Sequence, residues 1–139
     1  MSHRIHVFVL ALVALSAPAL LVGCDSSDDS SITTASFMLS SQTVAEGDTA
    51  SVTVVLDEAA SADLVVTYGV AGSADSLDHS LTTLAVPVPA GGSSAVISVP
   101  TVNDTDVEGD ETLVLSLAAL DDVAVGAVAV HTLVITDDD

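Results

Sequence analysis

Basic residues are almost absent from this chain. Among 139 residues the only Lys or Arg is Arg4, against 20 Asp and Glu, for a formal net charge of −19. Without a basic surface a protein cannot neutralise phosphates, which argues against nucleic-acid binding. Nor can such a chain be drawn electrostatically to anionic lipid. Cysteine occurs once, at Cys24, so no disulfide can form within the chain. One Tyr, two Phe and no Trp are too few for a platform on which sugars or bases could stack, and Phe37 and Tyr68 read as core residues. Neither a nucleophile elbow nor any other catalytic context accompanies the serines or the adjacent pair Asp78 and His79, so nothing calls for an enzyme.

What is present begins with a targeting pattern. Residues 1–23 read as a signal segment, with Arg4 as its positive start and an apolar stretch from Val7 to Ala17. Pro18 interrupts that stretch, whose length is at the short limit for a membrane span. The run Leu21, Val22, Gly23 and Cys24 resembles the lipobox of bacterial lipoproteins. The resemblance implies cleavage before Cys24 and lipidation of that residue, which accounts for an odd cysteine in a secreted chain. The expected location is the bacterial cell envelope, lipid-anchored and extracytoplasmic. An Asp directly after the cysteine fits inner-membrane retention in some lineages, and acids there fit surface export in others. The alternative is an ordinary secretory peptide that leaves a free thiol. Residues 25–31 are only Ser and Asp, cannot bury apolar surface, and read as a flexible tether.

From Ile32 onward the hydropathy alternates with period two between turn residues, the pattern of an all-β sandwich. Half of the chain is hydrophobic, mostly Ala, Val and Leu, and its β-branched richness suits strands. The alternation predicts seven strands, at 34–40, 49–56, 64–70, 81–88, 94–99, 112–117 and 127–136. Ala50, Val52, Val54 and Leu56 should share one inward face. Leu113, Leu115, Leu117, Leu133 and Ile135 should supply others, and His131 should be half-buried or exposed. Seven short strands within 32–139 match an immunoglobulin-like antiparallel β-sandwich, without the Cys–Trp–Cys hallmark of antibody domains. With strands that alternate in direction, the turn at 46–48, the loops at 71–80 and 103–111 and the end of the last strand fall at one pole. That pole collects 12 of the domain's 17 acids.

The densest stretch is 103–111, NDTDVEGDE, where five of nine residues are carboxylates. Like charges this close either raise each other's pKa or recruit a cation. Oxygen donors without His or Cys favour calcium over zinc or copper. The spacing of Asp104, Asp106 and Glu108 resembles the start of an EF-hand loop. That motif needs a Glu at its twelfth position and flanking helices, whereas here the twelfth position is Leu115 inside a strand pattern.

Several motifs together resemble the Calx-beta domain of sodium–calcium exchangers and many bacterial surface proteins. They are Val44 to Asp48 (VAEGD), Val65 with Tyr68, Asp78, Pro89 to Gly92 (PAGG), the 103–111 loop and Ile135 to Asp139 (ITDDD). The resemblance implies calcium sites at one pole of an immunoglobulin-like sandwich. Their ligands would be Glu46, Asp78, Asp104, Glu108, Glu111, Asp137, Asp138 and Asp139, with Asp106 contributing through its carbonyl. Asn103 stands where the family often has Asp, and His79 where it has Tyr. The implied role is structural, adhesive or recognition, leaving room for an extracellular protein partner that the sequence does not name. The competing reading is an interaction lipoprotein whose acids only solvate it, as in proteins adapted to high salt.

Overall fold

A strand with apolar residues at every second position must press one face against another layer. In the computed structural model, which describes residues 32–139, Ala50, Val52, Val54 and Leu56 do so. They lie in one buried cluster with Leu113, Leu115, Leu117, Leu133 and Ile135, as the alternation predicts, and Phe37 and Tyr68 join them. The targeting segment, Cys24 and the tether lie outside the described residues.

Nine strands build the described chain: β1 (Thr33–Phe37), β2 (Ser41–Ala45), β3 (Thr49–Leu56), β4 (Leu64–Gly72), β5 (Ala85–Val88), β6 (Ser94–Pro100), β7 (Glu111–Ala118), β8 (Val123–Val125) and β9 (Val130–Thr136). No helix occurs among the described residues. The strands form a four-stranded sheet, ordered β6-β3-β1-β8, and a five-stranded sheet, ordered β2-β9-β7-β4-β5. The all-β sandwich is as expected, but the number of strands is nine rather than seven.

Both extra strands arise in the same way. The expected first strand leaves the four-stranded sheet after Phe37, steps across at 38–40, and continues in the five-stranded sheet as β2. The last pass does likewise, from β8 to β9, so its expected start at 127 shifts to Val130. Neither step reverses the chain, so the first and last passes run parallel, β1 beside β8 and β2 beside β9. The polar run Ser41, Gln42 and Thr43 conceals β2, and three residues are too few for β8 to show a period. The expected strand at 81–88 shortens to β5, and ahead of it the Thr83 carbonyl accepts the Tyr68 hydroxyl at 2.7 Å.

His131 also corrects an expectation. It is 1% exposed, since it shares the inward face of β9 with Leu133 and Ile135. Its Nδ1 lies 2.7 Å from the Leu39 carbonyl and its ring packs on Phe37. The imidazole therefore ties the first sheet-crossing to β9.

Direct contacts fix the two poles. At one, Thr101 N–H donates to the Asp48 carbonyl at 2.9 Å and Val102 N–H to the Asp78 carbonyl at 2.9 Å. Asp137 accepts from Glu108 N–H there. At the other, Thr34 N–H donates to Asp57 and Thr33 N–H to the Asp122 carbonyl.

Where the last pass meets the first, Gly126 N–H donates to the Ala35 carbonyl at 2.8 Å. A Cβ on Gly126 would sit 2.2 Å from Ser36 Oγ and 2.9 Å from Thr34 Cγ2. Gly126→Ala should therefore cost about 1–3 kcal/mol by overpacking. A Cβ on Gly69 would meet nothing within 4 Å, so Gly69→Ala should be neutral or slightly stabilising. Thermal unfolding of the two variants checks this. Equal melting temperatures would contradict the close approach.

Candidate metal centre

Four chain segments deliver carboxylates to the acidic pole. The first is the turn after β2, where Gly47 takes a positive φ of 74° and Asp48 N–H donates back to the Ala45 carbonyl. The Thr101 hydroxyl lies 2.7 Å from the Asp48 carbonyl and 3.0 Å from that of Ala45, fixing this turn to the end of β6. The second is the connection from β4 to β5. Ser73 and Thr112 exchange contacts, with Thr112 N–H donating to Ser73 Oγ at 2.9 Å, so the connection starts beside Glu111. The third is the 101–110 loop and the fourth the run after β9.

These segments gather six of the nine expected ligands into two groups. Glu46, Asp137 and Asp139 each place an oxygen within 4.8 Å of the others, and so do Asp78, Glu108 and Glu111. Asp104 belongs to neither triad, but its negative charge acts on both Glu46 and Glu108. Its Oδ1 accepts the Asp106 N–H at 2.8 Å, folding the loop tip. Asp106 is exposed and in neither group. Asp138 accepts Asn103 Nδ2 at 3.0 Å, which gives the Asn in this position a role in joining the loop to the last segment. Asp75 is a neighbour that the sequence reading counts at the pole but not at the site. Its charge acts on Glu108 and Glu111, and its N–H donates to the Asp78 side chain.

The carboxylates divide by what they accept. Asp137 takes N–H groups from Glu108 and Gly109, each at 2.8 Å, and from Asp139 at 3.1 Å. Those backbone donors hold its pKa below the usual carboxylate range. The glutamates go the other way. Desolvation first, then the charges of Asp137 and Asp104, raise Glu46, against a backbone hydrogen bond from Asp104 that lowers it. Desolvation and then the charge of Asp78 raise Glu108. Glu111 is pushed from 4.5 up to about 7 by desolvation, by a hydrogen bond shared with Asp78 and by the charges of Asp78, Glu108 and Asp75. Glu46 Oε2 is shielded from solvent and has no hydrogen-bond partner. A buried oxygen without a donor is costly, and no Lys or Arg exists among the described residues to supply one. Hard carboxylate oxygens alone, in two clusters, fit a hard divalent cation.

Fold and site together define an all-β sandwich with a carboxylate-rich pole. No family model matches the chain, and no curated protein does. Solved structures do resemble it. The crystal structure of the apo-form Calx CBD1 domain superposes with a TM-score of 0.68 at 21% identity, over 78% of this chain and 99% of that one. CBD12 from CALX1.2 gives 0.68 at 22% identity, over 76% of this chain and 46% of that one, so this chain spans less than half of it. The Calx CBD2 domain gives 0.63 at 12% identity, over 75% of this chain and 86% of that one. A related structure is described as the calcium binding domain CBD12 of CALX1.1. At these identities the likeness is one of fold, and the fold is that of the Calx CBD domains.

The raised glutamates give calcium-free stability a pH slope. With Glu111 near 7 in the folded chain against 4.5 unfolded, the native state binds more protons than the unfolded one between those values. Stability should therefore fall as pH rises through that window. Glu46 and Glu108 act with the same sign, whereas the lowered Asp137 acts only at more acid pH. Melts in chelator across this range should show the decline, and Glu111→Gln should flatten it. An unchanged slope in Glu111→Gln would contradict the assignment.

Proposed function

We propose that residues 32–139 form a calcium-binding β-sandwich module, held at a bacterial cell envelope by a lipid on Cys24, with a structural, adhesive or recognition role and no catalysis. The observation that carries the calcium reading is the pair of carboxylate triads, one containing the donorless Glu46 Oε2. Glu46, Asp137 and Asp139 would hold one ion, and Asp78, Glu108 and Glu111 another. Asp104, whose charge acts on a glutamate of each triad, would be shared between the ions, since one carboxylate can bridge two. Calcium would supply the positive charge that the chain lacks. Likeness to domains described as calcium-binding supports the reading, as does the gathering of acids from four segments at one pole. The module is immunoglobulin-like in this reading, and the extracytoplasmic location rests on the lipobox-like run ending at Cys24.

Extracellular calcium modules work at dissociation constants of about 10⁻⁴–10⁻³ M, so millimolar calcium is the range to test. At 100 times its dissociation constant a site adds about 2.7 kcal/mol, roughly a 10 °C rise in melting temperature for a domain of this size. Calcium should produce that rise and sodium at equal ionic strength much less. Glu111→Gln or Asp104→Asn should remove most of it, and Asp121→Asn, at the far pole, should keep it. If sodium matches calcium, the acids are a solvating surface.

The anchor has its own test. Cys24→Ser should abolish lipoprotein-type processing and move the protein into the aqueous phase on detergent partitioning. Membrane partitioning of a Cys24→Ser chain that has lost residues 1–23 would refute the anchor.

A further inference from the structure

The first and last passes of the chain are zipped together in parallel over their whole length. Thr33 pairs with Val123 and Ala35 with Val125. Bonds continue through the change of sheet, from Gly126 N–H to the Ala35 carbonyl, Phe37 N–H to the Val128 carbonyl and Thr132 N–H to the Ser40 carbonyl, each 2.8–2.9 Å. His131 holds the Leu39 carbonyl at the same crossing. Five register pairs follow, from Ser41 with Thr132 to Ala45 with Thr136. Immediately beyond them, Glu46 N–H donates to the Thr136 carbonyl at 3.1 Å, and the Glu46 side chain meets Asp137 and Asp139.

This layout has a mechanical consequence. Residue 32 enters at the far pole, beside Asp122, and residues 137–139 leave at the acidic pole. Tension between residues 32 and 139 pulls the two passes in opposite directions along their shared axis. Their rungs are then loaded together, in shear. A strand pair pulled apart at one end instead breaks its rungs one after another.

We infer that this domain is a force-resisting module, in which the first and last passes form a shear clamp that calcium held by Glu46, Asp137 and Asp139 tightens. The clamp stands on strand pairing, and its tightening rests on the calcium reading proposed above. A cation bound by these three side chains would join the two passes just past their last rung, so the load would have to break its coordination as well. A lipid on Cys24, as proposed above, would fix one end of this axis.

Single-molecule pulling on the full chain tests both parts. With Cys24→Ser, one version carries attachment cysteines at Ile32→Cys and after Asp139. A second carries them at Glu58→Cys and Ser93→Cys, which part β3 from β6 at one end, where Leu56 N–H meets the Ser93 carbonyl. In chelator, the 32–139 geometry should unfold at the higher force. Calcium at 100 times the dissociation constant measured calorimetrically on the same chain should slow unfolding at fixed load by up to about 100-fold in that geometry, if the ion leaves before the barrier is crossed. Glu46→Gln should lose most of this slowing, and Asp121→Asn should keep it. Equal forces in the two geometries overturn the clamp. Calcium that binds in the calorimeter yet leaves the unfolding rate unchanged overturns the tightening and leaves the calcium reading standing. Absence of calcium binding overturns that reading and the tightening together, while the comparison in chelator still decides the clamp.

Discussion

Negative charge that the chain cannot neutralise from within is the constraint on which this structure turns. The described residues carry 17 acids and no Lys or Arg, so every carboxylate must be met by solvent, by backbone N–H groups or by something from outside. The aspartates of the acidic pole largely use the backbone. Asp137 takes three N–H groups, Asp104 takes one, and Asp75 and Asp78 share a turn. These bonds shape the loops as they lower the cost of the charge. Glu46, Glu108 and Glu111 are raised by their surroundings instead. Each triad sets raised glutamate against aspartate. Such clusters could hold a divalent cation.

The sandwich brings this about through topology. The last pass reaches the acidic pole beside the first, because both change sheets without turning back. Glu46 and Asp137 are 91 positions apart in sequence, yet each follows the final rung of the same parallel pair. Backbone pairing thus sets the spacing of one triad. The other depends on the Ser73–Thr112 contact, which brings the Asp78 connection against the start of β7. Leu113 and Ile135, two positions from Glu111 and Asp137, are at most 1% exposed, so the loops spring from a packed base.

Much of this is legible from residue order. Alternation at Thr49–Leu56 and Glu111–Ala118 names the inward residues, and an even reversal of direction places the acidic loops at one pole. That placement survives the change from seven strands to nine because both extra strands prolong a pass without reversing it. Strand β2 is hidden because Ser41, Gln42 and Thr43 bear no hydrophobic period, and β8 because it has three residues. His131 is legible in principle, since it falls two positions before Leu133 on an inward face, but a titratable side chain suggests solvent. Within the site, Glu46, Asp78, Glu108, Glu111, Asp137 and Asp139 meet in triads. Asp104 and Asp138 are instead taken up by the Asp106 N–H and by Asn103, partners that no spacing rule reveals, and the Asp106 side chain stays exposed. Asp75 escapes a sequence reading of the site for the same reason: its place depends on a turn closed by hydrogen bonds with Asp78 and Leu77.

The central claim is that the acidic pole, and not the acid-rich surface as a whole, takes up calcium. Nuclear magnetic resonance of the isotope-labelled chain during a calcium titration tests it residue by residue. The account predicts saturable shifts at Glu46, at 75–78, at 103–111 and at 136–139, with Asp57, Glu58, Asp63, Asp121 and Asp122 unmoved. Small shifts spread over both poles that never saturate, or that sodium reproduces, would contradict it.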